Sequence, residues 1–195
     1  MDASEIRQLL EKVGAVRHGH FELSSGRHSA TYVQCALVLQ HPELAERLGQ
    51  ALAEKFKDLR IECVVSPALG GILVGHEVGR ALGARAIFVE RDSSGQMALR
   101  RGFSLRNGER VLVVEDVWTT GGSTRETMGV VEQGGGRAVA AAALIDRSNG
   151  KIEWEVPAKA LIEISIPSHE AFDCPLCRRG EPITKPGSHF ARLSA

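Results

Sequence analysis

The segment that most constrains the fold is an apolar run followed by two acids and a loop of small residues. Residues 111–114 are all valine or leucine, which is typical of a strand buried on both faces. Glu115 and Asp116 are predicted to close this strand, and a turn of threonine and glycine follows. Ser123 and Glu126 fit the Ser-x-x-Glu capping box, so we expect a helix to begin at Ser123. Free backbone N–H groups and the positive end of the helix dipole would suit a phosphate there.

The other segments predict one α/β domain that spans residues 1–195. Predicted helices and strands follow one another along the chain, with glycine, proline or polar residues between them. This pattern favours a central parallel sheet flanked by helices. The predicted helices are residues 2–13, 43–57, 72–82 and 123–133, and the predicted strands are residues 61–66, 84–89, 110–115, 137–145 and, as a fifth or an edge strand, 160–166.

Three segments differ from this pattern. Residues 14–35 include a loose polar and apolar alternation around a Ser-Ser-Gly turn, and they predict a small hairpin, or hood, ahead of a core at residues 43–166. Residues 90–106 are polar and show no clear period, so they predict a long loop or hairpin of the kind that often forms a flexible lid. The tail, residues 167–195, is rich in Pro, Gly, Arg and Cys, and predicts irregular structure.

Composition excludes several classes of function. The chain has 195 residues, is 43% hydrophobic and 25% charged, and carries a net charge of 0, which argues against a nucleic-acid partner. It contains no apolar stretch near the roughly 20 residues that a membrane span needs, and no signal-peptide pattern. We therefore expect no membrane partner and a cytoplasmic location. Four unevenly spaced cysteines favour reduced thiols over a disulfide framework.

The acids beside the predicted phosphate loop limit the classes of ligand that could bind there. Phosphate alone would be repelled by carboxylates, whereas a ligand that also carries hydroxyl groups or a divalent cation would not. A ribose 5-phosphate offers a phosphate for the loop and a 2′,3′-diol for Glu115 and Asp116. The loop lacks the Gly-Lys-Ser/Thr of a Walker A motif and does not match Gly-x-Gly-x-x-Gly.

Residues 113–123 closely resemble the phosphoribosyl-diphosphate signature of the type I phosphoribosyltransferases. Three further segments resemble the orotate phosphoribosyltransferases: residues 21–29 the hood over the orotate site, residues 66–72 the diphosphate loop, and residues 144–147 a strand end whose arginine meets orotate. The resemblance covers nearly the whole chain. It implies the type I phosphoribosyltransferase fold. It also implies transfer of ribose 5-phosphate from 5-phosphoribosyl 1-diphosphate to orotate, giving orotidine 5′-phosphate and diphosphate in pyrimidine (UMP) biosynthesis.

The resemblance also implies a role for individual residues. Glu115 and Asp116 would bind the ribose diol and, with Arg91, form the catalytic set. Arg147 and Thr119 would contact orotate. Mg²⁺ is expected as a cofactor held by substrate oxygens, with no protein ligand, and the partner is expected to be a second copy of the chain in a homodimer. The implied phosphoribosyl-diphosphate site comprises Gly70, Arg91, Glu115, Asp116, Val117, Trp118, Thr119, Thr120, Gly121, Gly122 and Ser123.

The predicted lid departs from the family. Well-studied members carry lysines and a histidine there, whereas residues 90–102 contain neither. Arg91 is the best-placed substitute, followed by Arg100 and Arg101, although these two could simply pair with acids. An arginine cannot donate a proton at neutral pH, but it can stabilise a departing diphosphate. The lysine-poor lid keeps open the alternative of a non-catalytic sensor of phosphoribosyl diphosphate. A second alternative is a phosphoribosyltransferase for a purine or another base, although the hood segment and Arg147 argue against it.

A Cys-x-x-Cys pair near the C-terminus is the remaining motif. Cys174 and Cys177 have the spacing of a zinc knuckle, with His169 and His189 nearby. A single pair without a second one favours structural cysteines over a zinc site. The other histidines are expected to be packed or surface residues, and His28 has the strongest case for a function because it lies in the hood segment.

Overall fold

The computed structural model describes residues 1–23 and 25–186. Ser24 of the predicted hood turn, His189 and the last part of the predicted tail lie outside these residues. The strands are β1 (Val16–Glu22), β2 (His28–Val33), β3 (Cys63–Pro67), β4 (Arg85–Arg91), β5 (Met97–Leu99), β6 (Arg110–Trp118), β7 (Arg137–Asp146), β8 (Ala158–Glu163) and β9 (Ser168–His169). The helices are α1 (Ala3–Lys12), α2 (Ala36–Leu39), α3 (Pro42–Glu54), α4 (Gly70–Leu82), α5 (Gly122–Gln133) and α6 (Pro175–Arg178), with a 3₁₀ turn at Ala171–Asp173.

A six-stranded sheet forms the centre of the molecule, in the order β5-β4-β3-β6-β7-β8. All neighbouring strands are parallel except β5, which pairs antiparallel with β4. The predicted open α/β sheet is therefore confirmed, residues 158–163 form an edge strand, and the predicted lid is a hairpin closed by β5. In such a sheet, ligands bind at the carboxyl ends of the parallel strands.

Alternation along the central strands divides the core between the two faces. Val64 and Leu112 pack with α1, α3 and α4 on one face. Val65 and Val113 pack with Val131 of α5 on the other. Buried on both faces, the central strands need apolar residues at consecutive positions, which explains the unbroken apolar runs in the sequence. Among the described residues, no helix is both long and apolar enough to cross a membrane.

The hood is a second, three-stranded sheet. Strands β1 and β2 form the predicted hairpin, and β9 of the tail adds to β2 in antiparallel pairing. Thr184 also bridges Phe21 of β1. The described part of the tail is therefore less irregular than predicted, because Ser168, His169 and Thr184 pair with the hood, and a 3₁₀ turn and the short helix α6 lie between them. A two-residue strand leaves no periodicity in the sequence.

Two predictions around the phosphate loop are wrong. Strand β6 does not end at the acids but continues through Trp118, and it pairs with β7 as far as Asp146. Helix α5 starts at Gly122 with Gly121 as its N-cap, and no side chain caps it. The capping box fails because Ser123 lies inside the helix, where its carbonyl oxygen accepts a hydrogen bond from the Thr127 hydroxyl at 2.7 Å.

Candidate active site

Glu115 and Asp116 lie side by side near the carboxyl end of β6. Glu115 is only 9% exposed. Burial raises the pKa of Glu115 to about 9, and the adjacent carboxylate of Asp116 adds to the shift. Burial also raises the pKa of Asp116. The pair therefore retains a proton at neutral pH, so it offers both a hydrogen-bond donor and acceptors, as a ribose diol requires.

The loop between β3 and α4 comes into direct contact with this pair. A Cβ atom at Gly70 would lie 2.7 Å from Asp116 Oδ2, so only glycine fits at the first position of α4. The preceding peptide bond, Ala68–Leu69, is cis. The backbone of this loop and the acids of β6 therefore line one cleft, where the sequence predicted the diphosphate.

The loop from Thr119 to Ser123 exposes its backbone at the start of α5. Thr119, Thr120 and Gly122 are exposed, and Gly121 has a φ of 75°, a conformation that favours glycine. Gly121 has no side chain to cap α5, and the Gly122 N–H donates to the Thr120 hydroxyl only at 3.4 Å, so a ligand can supply an acceptor for the N–H groups of the first turn. This arrangement is suited to a phosphate group, which the sequence predicted at this loop.

Behind this loop lies a support that the sequence did not indicate. A Cβ atom at Gly121 would meet the Trp154 and Ile152 side chains at 3.0 and 3.1 Å. Arg125 donates to the Thr120 carbonyl oxygen at 3.2 Å and to the Glu153 carbonyl oxygen at 2.7 Å. The segment after β7 thus fixes the loop from behind.

Arg147 directly follows β7, whose last residue, Asp146, pairs with Trp118 of β6. Its backbone N–H donates to the Trp118 carbonyl oxygen at 2.8 Å. Arg147 is half-buried and its Nε atom is buried; this burial lowers the pKa of the guanidinium, and Tyr32 and Cys35 are its titratable neighbours. Among the described residues its Nε atom has no hydrogen-bond partner. A buried cation without a carboxylate is costly, so this arrangement is suited to an anionic ligand.

Comparisons with known proteins agree with this geometry. A family model described as a phosphoribosyl transferase domain matches residues 36–176. Orotate phosphoribosyltransferases from Pelotomaculum thermopropionicum and Caldanaerobacter subterraneus are 52% and 47% identical to the chain, each over 96% of it and 98% of the relative. The crystal structure of Mycobacterium tuberculosis orotate phosphoribosyltransferase with 5-phospho-alpha-D-ribosyl 1-diphosphate is 28% identical, with a TM-score of 0.66 and coverage of 84% and 96% of the two chains.

The chain belongs to the orotate phosphoribosyltransferases. In this phosphoribosyltransferase, not every residue of the predicted signature has a side chain that is free to contact a ligand. Trp118 is buried, donates from Nε1 to the Thr124 hydroxyl at 3.1 Å, and packs against Trp154 with ring centroids 4.6 Å apart. The Val117 side chain packs against the main core. Only the backbone of these two residues is available to a ligand.

The lid arginines of the phosphoribosyltransferase are engaged in ion pairs. Arg91 Nη2 lies 2.9 Å from Glu126 Oε2 on α5, and Arg91 Nη1 donates to the Gly95 carbonyl oxygen. Arg100 and Arg101 both contact Glu90, at 3.8 and 2.9 Å. The alternative that these two arginines pair with acids is therefore the arrangement observed. Arg91 pairs across the gap between the lid and α5, close to the phosphate loop.

Tyr32 is the residue of this site that the sequence did not single out. It lies on β2 of the hood and is half-buried, and burial raises its pKa. The charges of Arg147 and Asp116 both act on its hydroxyl. The hood segment resemblance covered residues 21–29, three positions short of Tyr32. Alternation along β2 was the available signal.

Proposed function

We propose that this chain transfers the ribose 5-phosphate group of 5-phosphoribosyl 1-diphosphate to N1 of orotate, giving orotidine 5′-phosphate and diphosphate. The observation that carries the proposal is the half-buried guanidinium of Arg147, whose buried Nε atom has no partner among the described residues. Arg147 directly follows β7, which pairs with β6, the strand that carries the acid pair and leads into α5. The names of the close relatives, which are orotate phosphoribosyltransferases, support the same substrate.

The donor would bind between the two loops. Glu115 and Asp116 would bind the ribose 2′- and 3′-hydroxyl groups, and the backbone from Val117 to Ser123 would surround the 5′-phosphate. Gly70 would bring its backbone to the diphosphate, since the close approach at this position excludes any side chain. These roles use hydrogen bonds and fixed dipoles, which stabilise charge without moving during the reaction.

The acceptor would bind between the hood and β7. The Arg147 guanidinium is a planar fork that matches a carboxylate in bidentate fashion. The Thr119 hydroxyl would reach the ring from the other side, and Tyr32 would close the site from the hood. Adenine and hypoxanthine carry no carboxylate, so they would leave this half-buried guanidinium unpaired.

The chemical step would be a displacement at the anomeric carbon. The N1 atom of orotate supplies the electron pair of the new C–N bond and gives up its proton, and the C1–O bond to diphosphate breaks with its electrons on the leaving group, which can accept that proton. Arg91 would stabilise the charge that develops on the diphosphate. Mg²⁺ would enter bound to the donor and neutralise diphosphate charge. The protonated acid pair is suited to hydroxyl groups, which fits a metal held by substrate oxygens.

A competition assay tests the substrate. We expect diphosphate release from 5-phosphoribosyl 1-diphosphate and Mg²⁺ with orotate, and none with adenine, hypoxanthine, xanthine or uracil. Turnover of a purine without turnover of orotate would contradict the proposal. Tight donor binding with no turnover of any base would favour a non-catalytic sensor.

We also propose that the working form is a homodimer in which each lid serves the neighbouring site. Leu69 and Leu73, on the first turns of α4 beside the diphosphate loop, are 81% and 51% exposed, which is typical of a surface that a partner covers. Mixing the variants Arg91→Ala and Asp116→Asn tests this. Heterodimers that share lids would regain one intact site, or about one quarter of wild-type activity in a random mixture. Absence of any recovery would mean that each lid acts on its own chain.

A further inference from the structure

Four metal-binding side chains meet where the tail crosses the hood. His20 and His28 lie on β1 and β2, Cys174 is the N-cap of the short helix α6, and Cys177 lies within that helix. The one ligand atom that each residue offers lies within 4.8 Å of all the others. His20, His28 and Cys174 are buried, and Cys177 is half-buried. The histidines are separated from the cysteines by about three quarters of the chain, so the sequence spacing could not reveal the cluster.

The distances match a tetrahedral ion. His20 Nε2 lies 3.0 Å from His28 Nδ1, 3.6 Å from Cys174 Sγ and 3.7 Å from Cys177 Sγ, and Cys177 Sγ lies 3.2 Å from His28 Nδ1. Around zinc, with Zn–S near 2.3 Å and Zn–N near 2.0 Å, a tetrahedron places two nitrogens ~3.3 Å apart and nitrogen and sulfur ~3.5 Å apart. His20 Nε2 therefore has three close neighbours, which is more than the single lone pair of a ring nitrogen can satisfy with hydrogen bonds.

The tautomer of His20 is set for coordination. Its Nδ1 atom lies 2.8 Å from the Glu181 carbonyl oxygen, which can only accept. The proton therefore resides on Nδ1, and the Nε2 lone pair points at the cluster. Such an outer hydrogen bond is the usual support of a metal-bound histidine. A bulge in β1 contributes as well, because the register of the hairpin shifts between His18 and Phe21 and so turns His20 towards the tail.

We propose that His20, His28, Cys174 and Cys177 bind one structural Zn²⁺ ion that fastens the tail to the hood. Zn²⁺ would displace one proton from each thiol, so two thiolates balance the charge of the ion and both imidazoles stay neutral. Four protein ligands leave no open position, which is the mark of a structural rather than a catalytic zinc. All four cysteines of the chain are free, so no disulfide competes for these sulfurs.

Metal analysis of the purified chain tests the site. We expect about one zinc per chain in the wild type and less than ~0.1 in the double variant Cys174→Ser/Cys177→Ser. Cys63→Ala and His76→Gln remove the same residue types away from the cluster, at a core strand and on an exposed helix face, and both should keep about one zinc per chain. Equal zinc in the double variant and the wild type would overturn the assignment.

Cobalt substitution gives a test that needs no variant to fold. Metal-free wild-type chain titrated with Co²⁺ should show the intense visible bands of tetrahedral cobalt and a sulfur-to-cobalt charge-transfer band in the near ultraviolet, saturating at about one equivalent. Failure to retain Zn²⁺ and Co²⁺ after desalting, or a weak octahedral spectrum, would sink the proposal. So would a Cys174–Cys177 disulfide found by mass spectrometry in chain purified under reducing conditions.

Discussion

At the residue scale, the burial of Glu115 beside Asp116 controls the charge of the donor site. The unfolded chain releases the Glu115 proton near pH 4.5, whereas the folded chain holds it until the pH reaches about 9. Between these values the folded state binds more protons than the unfolded state, so rising pH lowers the free energy of unfolding. The site therefore costs the ligand-free chain stability at neutral and alkaline pH.

Glu115→Gln should remove this cost. We expect the free energy of unfolding of the ligand-free variant to exceed that of the wild type by ~1–3 kcal/mol at pH 8, and by less at pH 5, because glutamine mimics the protonated acid. Urea denaturation at a series of pH values measures the difference. Glu155→Gln, in an exposed loop, is the control and should leave the pH dependence unchanged. A gain of the same size at every pH would contradict the interpretation.

Asp116→Asn and Arg147→Ala should separate the two substrates. We expect the first to raise KM for phosphoribosyl diphosphate about 10-fold or more, and the second to do the same for orotate, because each change leaves one buried partner without its hydrogen bonds. Initial-rate kinetics with each substrate varied in turn measure both constants. Arg137→Ala, at the exposed start of the same strand as Arg147, should change neither. Equal losses on both substrates would argue against the assigned roles.

The grouping of the acid pair with the Thr119–Ser123 loop at one strand end was predictable from the sequence, whereas the surroundings of this candidate site were not. Glu115, Asp116 and the Thr119–Ser123 loop are contiguous, so their order alone places them at one strand end. Tyr32 reaches Arg147 only through the packing of the hood on the core, and no local pattern encodes that contact. The charge state of Glu115 was equally out of reach, because it depends on how deeply β6 is buried.

At the element scale, the close crossing of α3 and α4 orients the diphosphate loop. A Cβ atom at Gly49 would lie 2.5 Å from Glu77 Cβ and 2.9 Å from its backbone carbon, so the two helices touch through backbone. Helix α4 begins at Gly70, and its position decides how the loop faces Asp116. A small change in helix separation would thus be transmitted to the donor site.

Gly49→Ala should destabilise the chain, and Gly129→Ala should not. The first inserts a methyl group against backbone and should lower the free energy of unfolding by ~1–3 kcal/mol. Gly129 lies in α5, where an added Cβ atom would have no neighbour within 4 Å, so alanine there should add about 0.5–1 kcal/mol of helix propensity. Thermal and urea denaturation of both variants give the comparison. Stabilisation by Gly49→Ala would show that the two helices have room to separate.

The lid hairpin is firmly held at its base and loosely at its tip. Glu109 is buried and pairs with Arg85 at 2.6 Å and with Arg106 at 2.9 Å, and these guanidinium groups lower its pKa to about 2. At the other end, the side chains of Arg91 and Arg101 are at least half-exposed, so their ion pairs stabilise little and break easily. Arg91 at the tip can therefore release Glu126 and pair with a diphosphate instead.

Arg91→Ala should lower kcat by about 10-fold or more, because the departing diphosphate would lose a positive charge in the transition state. Arg101→Ala removes the same kind of side chain from the same hairpin and should alter kcat by less than ~2-fold. Steady-state kinetics at saturating substrates provide the test. A larger loss with Arg101→Ala than with Arg91→Ala would reassign the working arginine.

At the scale of the whole molecule, sequence periodicity predicted the central sheet but not the pairing of the tail with the hood. The central strands carry long apolar runs, and the glycines around them mark their ends. Pairing of β9 with β2 involves two residues, His169 opposite His28 and Ser168 opposite Ser29, which is too short to leave a pattern. The cluster of His20, His28, Cys174 and Cys177 also left no pattern in the sequence. Its histidines and cysteines are far apart along the chain, and His20 and Cys174 are separated by 154 positions.

Zinc removal should therefore weaken the use of orotate, the acceptor, more than the use of phosphoribosyl diphosphate, the donor. Treatment with a strong chelator should lower the unfolding temperature by about 5 °C or more and raise KM for orotate at least ~5-fold, with KM for phosphoribosyl diphosphate changed less than ~2-fold. The donor loops belong to the central sheet, which the metal does not touch. Re-addition of Zn²⁺ should restore both values, and equal changes in the two KM values would contradict the separation.

The pairing of hood and tail also sets the order in which parts of the chain can fold during synthesis. Residues 16–33 leave the ribosome early, yet β9, Cys174 and Cys177 emerge well over one hundred positions later. Every strand of the central sheet has been made by residue 163, whereas β9 begins only at Ser168 and the two cysteines follow, so the sheet is complete in the chain before the hood is. A nascent chain should thus bind the sugar donor before it can hold the base. Pulse-labelling hydrogen exchange during refolding should show the same sequence, with β6 protected first and β2 last.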